Sequence, residues 1–217
     1  GVDWQGQGIA ARVSGISFSQ GSRDSLEEDN VSQAVKSKGT LINGLLVGDG
    51  NIFLEKAYQA VTGASIAKAA EDTMAEESAY NVVIYDANQT PQETYSNGLI
   101  FGNAYGASTE ILQNVVLDMT DCDLTSGLSG FQIGVNTAYC FALPEGAESF
   151  LEYNGKCVGY YKEQDGRKEI VVGFDVRESD FPLRAEFPVF LANAMIYLSD
   201  TSWLATNVYY AGEELAL

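Results

Sequence analysis

The sequence contains no histidine. Ser-His-Asp and Cys-His catalytic arrangements are thereby excluded, and so are histidine-ligated metal sites. Any chemistry here has to run on carboxylates, lysine, tyrosine, serine or a lone thiol. Cysteine is scarce as well. Cys122, Cys140 and Cys157 form no C-x-x-C pair, and the odd count leaves at least one thiol unpaired within a monomer. This argues against both a disulfide framework and a zinc cluster. Basic residues number 12 against 30 acidic ones, for a formal net charge of −18. A field of that sign repels phosphate, so neither nucleic acid nor anionic lipid is expected as a partner. The acidic surface reads first as a solubilising one, with a cationic polymer or divalent cations as the alternative. No run approaches the roughly 20 apolar residues that span a bilayer. No signal peptide is visible in the opening GVDWQGQG, which reads as a cut point in a longer chain. No repeat of solenoid length is present either.

What is there suffices for a globular core. Of 217 residues, 46% are apolar, enough for one domain or one domain with a small appendage. The most informative stretch is Glu169 to Ser199. Ile170 to Phe174 is an apolar run bounded by charge, the pattern of a strand buried on both faces. A polar loop follows from Asp175 to Arg184. Then Phe187, Phe190, Leu191, Ala194, Met195 and Leu198 recur at helical spacing, with Pro188 tolerated in the first turn.

Similar strands are expected at Leu41–Val47, Asn81–Tyr85 and Gly98–Phe101, with a short one within 64–69 and a helix from Ile52 ended by Gly63. Val115–Leu117, Phe131–Val135 and 138–143 read as peripheral extended segments, and 150–155 as a strand and turn. The Gln164-Asp-Gly166 turn between 157–162 and 168–174 is a hairpin signature. Strands alternating with helices in the first half indicate a doubly wound, mostly parallel α/β sheet. The expected divisions are a β segment at 1–38, the α/β domain at 39–200, and a β tail at 201–217 that pairs with the N-terminal segment as a small appendage.

Strands ending in acids at the carboxyl edge recur at Asp49, Asp86 and Asp175, where open α/β sheets bind ligands. With Asn51 and Asp180 they form a candidate small-ligand or divalent-cation site built from oxygen donors. The competing reading has these residues capping helices and holding loop amides. The Gly48–Asn51 turn lacks a phosphate-binding signature, and Asp49 and Glu55 would repel an anion. A carboxylate hydrolase pairing Glu178 or Asp180 with Asp86 is the remaining chemical option.

Three stretches together resemble a known group: Asp24-Ser-Leu-Glu-Glu-Asp29-Asn30, LLVGDGNIFLEKA at 45–57, and Gly173-Phe-Asp175 through Ser179-Asp-Phe-Pro182-Leu to Asn193. They resemble the region that follows the von Willebrand factor A domain in bacterial aerotolerance (Bat-like) membrane proteins. The closing Gly212 to Leu215 fits the same pattern, so the likeness runs from about Asp24 to Leu215. The resemblance implies a β-sandwich segment leading into a flavodoxin-like domain similar to class I glutamine amidotransferases. Active members of that class carry a nucleophilic cysteine in a G-x-C-x-G elbow. Here Gly102-Asn103-Ala104-Tyr105-Gly106 takes that place, with Ala104 where the thiol would be. They also carry G-x-Q-x-H-P-E, and here Gly173 to Ser179 has Arg177 where the histidine would be. An arginine with a pKa above about 12 is no general base at neutral pH. The resemblance therefore implies a non-catalytic interaction or scaffolding module with no cofactor and no metal. Its partners would be proteins, and its parent would be membrane-anchored and extracytoplasmic.

Overall fold

The computed structural model describes residues 9–12, 31–34, 42–69, 79–87, 89, 97–128 and 130–199. The chain divides into two units, Gly1–Thr40 and Leu41–Leu217. In the first, β1 (Ile9–Arg12) and β2 (Val31–Ala34) pair antiparallel, with Ile9 opposite Ala34 and Arg12 opposite Val31. The expected tail at 201–217, with its pairing to the N-terminal segment, lies outside the described residues.

The second unit is built on one nine-stranded mixed sheet in the order β4-β3-β5-β6-β11-β10-β9-β7-β8. Its first five strands run parallel: β4 (Ala67–Ala69), β3 (Gly44–Val47), β5 (Val82–Tyr85), β6 (Asn97–Phe101) and β11 (Arg167–Val172). The rest is antiparallel: β10 (Lys156–Gln164), β9 (Glu148–Tyr153), β7 (Ser108–Met119) and β8 (Gln132–Phe141). The mostly parallel sheet expected from the sequence is thus corrected to a mixed one. After β6 the chain turns into a long hairpin rather than a further crossover helix.

Two helices cover the sheet. α1 (Ile52–Thr62) starts at Asn51, whose side-chain oxygen accepts from the Phe53 and Leu54 amides at 3.1 and 3.4 Å, and it stops at Gly63 in the left-handed region. α2 (Glu186–Ser199) buries the six apolar positions expected of it. Both helices join one core with Leu46, Ile84, Phe101, Ile170 and Val172. The alternate positions Leu45, Val83, Tyr85, Ile100 and Val171 face the other way, into a second core completed by Phe141, Cys157 and Tyr160. Among the described residues, then, strand side chains rather than a helix cover that second face.

The two halves of the sheet join at Gly173. Its N–H donates to the Val158 carbonyl at 2.8 Å, and its carbonyl accepts from the Tyr139 amide at 2.7 Å. A Cβ there would lie 2.4 Å from both the Tyr139 and Val158 oxygens, so only glycine lets β8, β10 and the end of β11 meet. The expected β10–β11 hairpin is present, closed by Asp165 and Gly166 at φ 53° and 74°, the conformation a two-residue turn of this kind requires.

Candidate functional site: an ion-pair clasp over the β6 elbow

β6 ends at Phe101 and enters a tight turn. Gly102 (φ 92°) donates its N–H to the Val172 carbonyl at 2.9 Å, and the Asn103 side chain accepts from the Ser108 amide at 3.1 Å. Ala104 is fully buried in the second core. The left-handed non-glycine residue of this turn is Tyr105 (φ 57°), followed by Gly106 at φ 62°. The strained position, from which an elbow presents a nucleophile, therefore falls one residue after Ala104. Its occupant is a phenol that hydrogen-bonds the Glu169 carboxylate.

Around this turn the strand-edge residues converge, because β3, β5, β6 and β11 run parallel and end on the same side. Asp86, directly after β5, is 2% exposed. Its Oδ1 accepts from Asn51 Nδ2 at 3.0 Å, and its Oδ2 lies 3.4 Å from Arg177 Nη2. Arg177 also grips Asp175 with two prongs, Nε to Oδ1 and Nη2 to Oδ2, each 3.0 Å. Asp175 Oδ1 in turn accepts from the Arg177 amide at 2.9 Å and caps the turn after β11. Because β6 lies between β5 and β11, the Arg177–Asp86 pair spans the end of β6. The guanidinium thus ties the loop after β11 to the loop after β5, and Asn51 adds the loop after β3 through Asp86.

Burial pushes the Asp86 carboxyl above the usual carboxylate range. The Asn51 hydrogen bond and the Arg177 charge oppose that shift, while Asp175 and Asp49 add to it. The paired carboxylates hold Arg177 firmly protonated, chiefly through the Asp175 hydrogen bonds. Asp49 is exposed in the loop after β3 and contributes field rather than a contact.

Asp180 does not belong to this group. Its Oδ1 accepts from the Gly134 amide at 3.0 Å, its amide donates to the Gly134 carbonyl at 3.0 Å, and its Oδ2 pairs with Arg184 at 2.7 Å. It pins the loop after β11 to β8. The expected five-residue site is therefore split: Asp49, Asn51, Asp86 and Asp175 sit at the carboxyl edge, and Asp180 sits at the hairpin. Phe181 next to it is buried against Phe131, Phe187 and Phe190, whereas Leu183 is 77% exposed. Among the described residues no group of three or more Asp, Glu or Cys side chains is placed to hold a metal ion.

All three thiols are free. Cys140 and Cys157 line a cleft beside the Lys156–Glu110 ion pair. Burial raises both thiols above their ordinary range, which leaves them poor nucleophiles. Sequence reasoning singled out Arg177 only as the residue standing where a histidine would. Its role as the cation that neutralises the edge could have been read from its position as the sole base between Asp175 and Asp180.

No protein-family model matches the chain, and no curated protein sequence matches it. Solved structures do. Two cytoplasmic proteins of Salmonella typhimurium, STM3548 and STM1381, each align with TM-score 0.56 at 8% identity. They cover 72% of this chain and 98% and 99% of their own. A GMP synthase-type protein of Thermoplasma acidophilum aligns with TM-score 0.47 at 11% identity, over 70% of this chain and 96% of that one. For the Salmonella pair the likeness is one of fold alone. Both are named as cytoplasmic, which runs against the extracytoplasmic location expected above.

Proposed function

We propose that this chain is a non-catalytic interaction module whose parallel half derives from a doubly wound, flavodoxin-like core of the class I glutamine amidotransferase type. On this reading it forms part of a larger von Willebrand factor A-type protein of the aerotolerance-like group, and its partners are proteins. The observation that carries the proposal is the clasp. Where catalysis would need a free thiol and a base, the chain has a buried Ala104 methyl and an arginine locked onto Asp175 and Asp86. A guanidinium held that way neither takes up a proton nor moves one.

The test is ammonia release from glutamine. The proposal expects none above a buffer blank for the wild-type chain. Release that disappears on mutating Cys122, Cys140 or Cys157 would overturn it.

The cation-binding alternative draws on the convergence of Asp49, Asn51, Asp86 and Asp175. Arg177 already supplies the positive charge that such a site would take from a metal, and this favours the structural reading.

A further inference from the structure

The β7–β8 hairpin changes phase in mid-strand. Leu112 is inward on β7, and then Val115, Leu117 and Met119 are. On β8, Ile133 and Val135 are inward, and then Ala138 and Cys140 are. Both switches fall at one place, between the pairs Gln113–Thr137 and Val115–Val135, where Asn114 and Asn136 stand across from each other. Asn114 adopts φ 51°, a left-handed conformation that asparagine tolerates better than most residues. The resulting bend opens a cleft of about 390 Å³ against the turn that carries Arg177 and Glu178. That is at the small end of ligand pockets, roughly 300–1,000 Å³.

We infer that this cleft binds a neutral, hydroxyl-rich ligand of about monosaccharide size. Ser179 aside, its polar walls are two side-chain amides, one guanidinium and two carboxylates. All are planar groups that can address adjacent hydroxyls in pairs, as donors or acceptors. Val115 and Val135 also line it, with their side chains turned into the core. Among the described residues, the Asn114, Asn136 and Glu178 side chains spend no hydrogen bond on the protein. An anion is disfavoured, because Glu178 and Asp180 line the cleft and Arg177 is already paired with Asp86 and Asp175. Strand addition by a peptide is disfavoured too, because Val135 is already bridged to Ser179. The inference is independent of the elbow reading and shares only Arg177 with it.

The test is amide NMR of the whole chain titrated separately with glucose, galactose, N-acetylglucosamine and triglycine. At least one sugar is expected to give saturable shifts confined to 113–115, 134–136 and 177–180, and triglycine none. The bend needs only a residue at ease with positive φ, so Asn114→Gly keeps the fold. It should weaken sugar binding at least tenfold while leaving the melting temperature unchanged or higher. Asn136→Ala should weaken it similarly. Three results would each overturn the inference: no sugar-dependent shift at these amides, equal shifts with triglycine, or undiminished binding in Asn114→Gly.

Discussion

The two halves of the sheet are stabilised differently. In the parallel half the inner strands are buried on both faces: Val82 to Tyr85 are all within 1% of full burial, and Leu99 to Phe101 and Ile170 to Val172 are nearly the same. Such strands need long apolar runs, and their polar work is confined to the loops at their ends. The antiparallel half is thinner. β7 leaves Ile111 and Val116 more than half exposed, carries polar residues over much of its length, and reverses its inward face at Asn114. Core in the first half is made by depth, and in the second by closure of β8 onto β10 through Gly173 and by the Asp180 and Phe181 anchor. Loops over the deep half can therefore hold a buried charged group such as Asp86, whereas clefts form where the thin half bends.

Four substitutions break or sharpen this contrast. Phe181→Ala removes a ring that ties the loop after β11 to Phe131 and to α2, and should cost about 3–5 kcal/mol in urea unfolding. Gly173→Ala forces a methyl between two backbone carbonyls and should cost at least about 1–3 kcal/mol. Hydrogen exchange should speed up in β8 and β10 of that variant before it does in β3 and β5. Asp86→Ala leaves the buried Asn51 amide without its acceptor and should cost about 1–3 kcal/mol. Leu183→Ala, at the exposed end of the same turn as Phe181, should stay within about 0.5 kcal/mol of wild type. A comparable loss there would show that the turn is held by its surface rather than by Phe181.

Asp86 also carries a pH signature. Its folded pKa is raised above the ordinary 3.8, so its contribution to stability is fully present below that value and is lost as pH rises through the folded one. The stability of wild type relative to Asp86→Asn should therefore grow as pH falls from 7 toward 4. A flat difference would mean that Arg177 cancels the effect of burial.

Much of the deep half was legible in the sequence. Runs such as Val82-Val-Ile-Tyr85 and the spacing from Phe187 to Leu198 leave few alternatives once burial on both sides is assumed. The Asp165-Gly166 turn announced its hairpin through the backbone conformation it demands. In the thin half the β7–β8 hairpin was read only as fragments, 115–117, 131–135 and 138–143, because the phase switch at Asn114 and Asn136 destroys the two-residue period that marks a strand. The mixed sheet order was hidden for the same reason. At the site, Asp86 and Asp175 were identifiable as strand-end acids. Distinguishing them from Asp180 required knowing that Ser179 turns toward Val135 on β8. A tight turn does lie between Gly102 and Gly106, and which of its residues takes the left-handed conformation depends on how Asn103 closes onto Ser108.

The central claim is that the acids at the carboxyl edge hold the fold together through Arg177 rather than wait for a ligand. Urea unfolding of wild type and Asp86→Ala, each with and without millimolar calcium or magnesium, tests it directly. The account predicts that the wild-type midpoint is unmoved by either cation and that the variant is destabilised equally in every condition. A cation-dependent rise in the wild-type midpoint that vanishes in Asp86→Ala would contradict it.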